Sequence, residues 1–301
     1  MKKKNKMEFL FKASAITALF YLCYKLFLQG ETFFESNRWF LISGLVFSFC
    51  IPFLVIPIYV ENTIITDFIV DNDTSTIPPL NEDSFNYLKL LPLIYGIGLT
   101  FFLIKLGIEF SSLFRLIKNN KSNLSGAIKF IETEDAVSPF SFFNYIVYNP
   151  NQFEDAELEH ILNHEKAHAK QWHSLDIILV QLATVVFWFN PFIWLYKKDL
   201  QQNLEFIADQ NAQRVSDCQK SYQHLLLKAI VSNQHLVLAN NFYNSLIKKR
   251  IVMLHKSKSH KLNVLKYTLV IPLLGLFLMS FNTKKVYVHY MPWFYNPEQD
   301  G

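Results

Sequence analysis

The residues best suited to chemistry are Asn163-His164-Glu165-Lys166-Ala167-His168, an H-E-x-x-H motif. On a helix, positions i and i+4 share a face, so His164 and His168 point the same way. Two imidazoles so placed can hold one zinc ion, and the adjacent Glu165 can act as general base toward water. Zinc of this kind takes a third protein ligand and keeps a fourth position open. Downstream, Glu205 and Asp209 stand four residues apart in Asn203-Leu204-Glu205-Phe206-Ile207-Ala208-Asp209. Glu205 is the expected third ligand. Asp209, one turn later, is placed to orient a ligand histidine through the N–H of its ring. The expected cofactor is one zinc ion per chain.

The elements around the motif must position it. Glu157, Leu158, His160, Ile161, Leu162 and Ala167 give an amphipathic helix. Glu154, Asp155 and Glu157 favour its N-terminus through the macrodipole. Ahead of it, Ala127–Ile131 and Phe143–Tyr148 read as short strands, and Pro150 closes the second. Ile146, Val147 and Tyr148 would be the substrate strand if that segment were an edge. After the motif, residues 174–196 are apolar again. A single membrane crossing is excluded there, because His168 and Glu205 flank the stretch and must reach one ion. It therefore reads as a helical hairpin, re-entrant or interfacial, broken at Asn190-Pro191.

The rest of the chain is apolar beyond what a soluble domain carries: 51% of its 301 residues are hydrophobic and 16% aromatic. Apolar spans cover 8–28, 39–60, 86–107 and 267–283, and Pro52 and Pro57 predict kinks in the second. Cys23, Cys50 and Cys218 form no C-x-x-C pair, so neither a disulfide framework nor a thiolate metal site is expected. A net charge of +4, with basic residues beside the spans, points to membrane flanks rather than nucleic acid. The 61–85 segment contains no Lys or Arg, whereas 108–171 and 197–266 are rich in both. The positive-inside rule then puts the metal residues in the cytoplasm, and the 61–85 loop and the C-terminal tail outside. Lys2, Lys3 and Lys4 oppose that orientation; a start at Met7 removes the conflict.

The predicted class is a mainly α, polytopic membrane protein. It has about four transmembrane helices, the apolar hairpin and a small α+β zinc peptidase domain. The expected organisation is a membrane region over 1–107, a cytoplasmic domain over 108–262 that includes hairpin 174–196, a last span at 263–283, and a tail at 284–301. The expected reaction is peptide-bond hydrolysis, with His173, Arg214, Tyr222 and His224 as alternative oxyanion donors. The rival reading is a catalytically silent membrane scaffold that retains a zinc site. A transporter is disfavoured, because the charged residues in the spans lie near their ends.

The ordered set resembles the BlaR/MecR-type antirepressor metallopeptidases. It comprises His164-Glu165-x-x-His168, His173-Ser174-Leu175-Asp176, Phe187-Trp188-Phe189-Asn190-Pro191 and Glu205-x-x-Ala208-Asp209. Three flanks resemble the branch of that family common in Bacteroidetes: Asn37-Arg38-Trp39, Pro139-Phe140-Ser141-Phe142 and Lys248-Lys249-Arg250-Ile251. The resemblance implies a gluzincin-like peptidase on the cytoplasmic face of the bacterial inner membrane. It further implies an outside stimulus, and cleavage of the chain itself or of a cytoplasmic transcriptional repressor. It gives His173 and Asp176 the role of supporting the metal-site helix. Only Asn282 to Gly301 follow the last span, so no large C-terminal sensor domain, and no β-lactam binding, is expected.

Overall fold

A computed structural model describes residues 2–61, 90–120, 122–135, 137–215, 222–223 and 237–288. Most of the 61–85 loop, the start of the third span, His224 and the end of the tail lie outside these residues. In chain order the elements are α1 (Lys2–Cys23), α2 (Phe34–Cys50), β1 (Ile56–Glu61), α3 (Leu91–Asn119), β2 (Ser122–Ser125), β3 (Ile128–Glu132), β4 (Phe140–Phe142) and β5 (Tyr145–Tyr148). There follow α4 (Asp155–Lys170), α5 (His173–Val186), α6 (Pro191–Val215), α7 (Val237–His255), α8 (Val270–Phe281) and β6 (Thr283–Val288).

The fold is mainly helical with two small sheets. Among the described residues, three helical stretches are long and apolar enough to cross a membrane: Met7–Leu28, Leu91–Asn119 and Lys261–Phe281. On the second and third of these, the apolar side chains largely face outward. Ile97, Phe101, Ile104 and Ile108 on α3, and Ile271, Leu276 and Met279 on α8, are exposed. Such surface needs an apolar solvent.

The second expected span is not one helix. Residues 39–60 divide into the end of α2, a 3-10 turn over Ile51–Phe53, and strand β1. Pro52 cannot continue an α-helical ladder, and the carbonyls released at the break find another donor. Asn282 Nδ2 donates to the Ile51 and Leu54 carbonyls at 2.9 and 2.8 Å. Strand β1 then pairs in parallel with β6, from Ile56 opposite Thr283 to Glu61 opposite Val288. The third helix also departs from expectation: it runs past residue 107 to Asn119, carrying Arg115 and Lys118 on its last turns.

The apolar hairpin breaks where expected. Asn190 Oδ1 accepts from Phe192 N at 2.9 Å, an N-cap ahead of Pro191 at the first position of α6. Its two arms enter the main core. Val180, Ala183, Phe187, Ile193, Tyr196 and Leu200 pack with Ile16, Phe20 and Tyr24 of the first helix and Leu41 and Leu45 of α2. The second sheet has order β2-β3-β5-β4, with β3 and β5 parallel and the outer pairs antiparallel. Ile146, Val147 and Tyr148 are therefore interior, between β3 and β4, and cannot be the substrate strand. The edge nearest helix α4 is β4, because the chain turns back through Phe143 (φ 50°) to lay Phe140–Phe142 outside β5.

Close approach of α2 to its neighbours depends on Gly44. A Cβ there would stand 2.6 Å from Tyr196 Oη and 2.7 Å from the Phe20 ring. Gly44→Ala should lower unfolding free energy by about 1–3 kcal/mol through overpacking. Gly107→Ala, with nothing within 4 Å of the new methyl, should be neutral or slightly stabilising. Thermal unfolding of the two variants in detergent checks the contrast.

Candidate metal centre

Helices α4 and α6 pack against each other and supply, among the described residues, a group that could hold a metal ion: His164, His168 and Glu205. One ligand atom from each lies within 4.8 Å of the other two. The two histidine Nε2 atoms face each other at 3.2 Å. Glu205 reaches them at 3.4 Å through Oε2 and 3.7 Å through Oε1. Two nitrogens each about 2.0–2.1 Å from a tetrahedral zinc would lie about 3.3 Å apart, so spacing and donor set both fit that ion.

Each imidazole is held from behind. His164 Nδ1 meets Asp209 Oδ1 at 3.2 Å and the Tyr222 hydroxyl at 3.0 Å, and that hydroxyl donates to Asp209 Oδ1 at 2.6 Å. His168 Nδ1 lies 2.7 Å from His173 Nδ1. Asp176 does not touch the histidines; it accepts from Arg38 Nε at 2.6 Å. Asp209 is fully buried, which places a carboxylate where only a charged partner can keep it. Arg250 of α7 supplies that partner. Its Nε and Nη2 donate to the two Asp209 oxygens at 2.8 and 2.6 Å, and its Nη1 reaches Glu205 Oε2 at 2.9 Å.

The general-base candidate, Glu165, is buried beside this cluster. Burial pushes its carboxyl above the usual range, while the His164 charge and a hydrogen bond from Ser141 pull the other way. Ser141 belongs to β4, so the sheet edge touches the residue expected to handle the proton. Burial also opposes the Glu205 carboxylate, but Arg250 and then His164 hold its pKa well below normal. For His164, burial disfavours the charged ring, yet the Asp209 and Glu205 hydrogen bonds outweigh it and raise its pKa to about 10. His168 has no such partner on its free side; burial, then the His164 charge, depresses it to about 4.

Of the four expected oxyanion donors, Tyr222 and His173 have their polar atoms engaged behind the histidines. Arg214 is exposed near the end of α6, and His224 lies outside the described residues. Sequence spacing gave no role to Arg250, Arg38 or Ser141. Each stood in a flanking motif, and only the tertiary contact reveals what it does.

Residues 119–254 match the family described as BlaR1 peptidase M56, a segment that includes every residue of this cluster except Arg38. Over this segment the chain is similar to the BlaR/MecR-type family. Over 107 residues the chain is 34% identical to the methicillin resistance mecR1 proteins of Staphylococcus aureus and Staphylococcus epidermidis, covering 32% of its own length and 18% of theirs. Over 158 residues it is 24% identical to the regulatory protein BlaR1 of Staphylococcus aureus, covering 48% of its own length and 27% of the relative's. The matched stretches thus span less than a third of those relatives.

A metal ion entering this cluster must displace the proton that His164 holds in the metal-free chain. Below the raised His164 pKa of about 10, the apparent zinc affinity should rise by about tenfold per pH unit as that proton becomes easier to remove. Chelator competition between about pH 6 and 8 measures the slope; a pH-independent affinity would mean that His164 holds no proton for the metal to displace in that range.

Proposed function

We propose that the chain is a membrane-embedded zinc metalloendopeptidase with His164, His168 and Glu205 as metal ligands and Glu165 as general base. The observation that carries this reading is the meeting of three ligand atoms on α4 and α6, with Glu165 buried beside them. A bound zinc would polarise the scissile carbonyl and make water acidic enough to be deprotonated near neutral pH. Glu165 takes that proton and returns it to the leaving amine. A carboxyl biased upward by burial is better matched to both halves of that exchange than an ordinary glutamate. Asp209, Tyr222 and His173 hold the ligand rings, and Arg250 keeps Glu205 and Asp209 ionised.

The substrate side is the free edge of β4. An extended peptide added there would pass Ser141 and lie alongside α4. Next to it is a cleft of about 330 Å³, lined on its apolar side by Phe110, Phe140, Phe142 and Ile177. A large apolar side chain fits that lining.

The regulatory setting is also a proposal, and rests on the similarity to mecR1 and BlaR1. In this reading the peptidase lies at the cytoplasmic face of the inner membrane and cleaves itself or a cytoplasmic repressor. Two features support the orientation. The β1–β6 pair joins segments that leave α2 and α8 at one end of the bundle. The metal cluster neighbours Arg38 near the other end of α2, a helix about 25 Å long. The 61–85 segment, which contains no Lys or Arg, follows β1 in the sequence.

Glu165→Gln removes the base and leaves the three ligands, so zinc should stay while cleavage falls by orders of magnitude. Mapping new protein N-termini in cells carrying the wild type and the variant tests this. Cleavage products that appear equally in both would refute the peptidase reading.

A further inference from the structure

One chain of hydrogen bonds runs from the membrane bundle into the cluster, and it starts outside the segment matched to the peptidase family. Arg38 of α2 is buried at 7% exposure. Its Nε donates to Asp176, its Nη1 to Gln171 Oε1 at 3.2 Å, and its Nη2 to the Gln171 carbonyl at 2.8 Å. Gln171 Nε2 donates to Glu35 Oε1 at 3.0 Å. A guanidinium only donates and a carboxylate only accepts, so these partners fix which end of the Gln171 amide is oxygen.

That oxygen also lies 3.0 Å from His173 Nε2. An amide oxygen cannot donate, so His173 carries its proton on Nε2, and its Nδ1 is left as an acceptor. His168 Nδ1, 2.7 Å away, must then be the donor. The proton of His168 is thereby fixed on Nδ1, and the lone pair of Nε2 points toward His164 and Glu205. Every link has one permitted direction. The backbone is shaped for the same end: Trp172 adopts a left-handed conformation (φ 57°), unusual for a bulky residue, and so reverses the chain between α4 and α5 to bring His173 beside His168.

We propose that Arg38 and Gln171 are positioning residues of the metal centre. They fix the tautomer of His173, and through it the tautomer and ring orientation of His168, so that helix α2, which packs against the first membrane-capable helix, holds one metal ligand in its binding form. The proposal rests on the metal-ligand reading above. Arginine is required because one planar group must reach Asp176, the Gln171 side chain and the Gln171 carbonyl together; a lysine offers a single nitrogen. A plain structural ion pair between Arg38 and Asp176 would instead leave metal affinity indifferent to Gln171, which is half-buried at the turn.

The test uses the full chain in detergent, titrated with Co²⁺ against a chelator and followed by the cobalt absorption bands, with thermal melting of the metal-free protein alongside. Gln171→Met removes the acceptor and should weaken cobalt binding by roughly 10–100-fold and alter the bands, with the metal-free melt unchanged. Gln171→Glu combined with Glu35→Gln keeps an acceptor facing Arg38 and His173, supplies an amide donor on the Glu35 side, and should restore wild-type affinity and bands. Arg38→Lys keeps a charge opposite Asp176 but releases Gln171, and should weaken binding in the same sense. Wild-type affinity in Gln171→Met or in Arg38→Lys overturns the proposal, as does equal weakening in Gln171→Met and the double variant. A wild-type chain that binds no cobalt overturns the metal-ligand reading as well, which separates the two failures.

Discussion

Three donor atoms carried by two helices have to meet at one point, and the apolar hairpin between those helices is what brings them there. His168 precedes the hairpin and Glu205 follows it. The arms of α5 and α6 must therefore return the chain to its starting level, and they do so by burying Val180, Ala183, Phe187, Ile193, Tyr196 and Leu200 against α1 and α2. The turn at Asn190-Pro191 is capped and the core around it continuous, so α6 runs unbroken from Pro191 to Glu205 and Asp209. The same packing that stabilises the membrane bundle thus sets the register of the metal cluster.

Charge is the second constraint. Asp209 is sealed from solvent and Glu205 stands one turn away on the same helix. Two carboxylates that close would repel and take up protons without a cation between them. Arg250 from α7 is that cation, and it bonds both. Breaking such a buried arrangement from one side costs about 3–5 kcal/mol, because a desolvated charge is left behind. The basic run Lys248-Lys249-Arg250, near the end of the matched segment, therefore includes one residue of a different kind: Lys248 and Lys249 are exposed, whereas Arg250 completes the site.

Much of the site was legible in the sequence because it is local. His164, Glu165 and His168 sit on one helix at fixed spacing, and Glu205 and Asp209 repeat that geometry on another. The hairpin followed from topology, since two ligands flanking an apolar stretch exclude a single crossing. What stayed hidden depends on contacts between distant segments. Spacing alone does not connect Arg38 with Gln171, or Arg250 with Asp209. Strand order was likewise out of reach: Phe143–Tyr148 reads as an edge or an interior strand with equal ease, and β4 decides it. The second span misled because 39–60 is continuously apolar. Its division at Pro52 is stabilised by Asn282, whose amide satisfies the carbonyls that a straight helix would have used.

Two imidazoles and one carboxylate of this chain are proposed to bind zinc. X-ray absorption at the zinc edge of the purified, zinc-loaded protein reads that ligand set directly. The account predicts a four-coordinate shell of nitrogen and oxygen at about 2.0–2.1 Å, with imidazole scattering from two histidines that drops to one in His168→Ala. A sulfur shell near 2.3 Å, or imidazole scattering unchanged by that substitution, would contradict it.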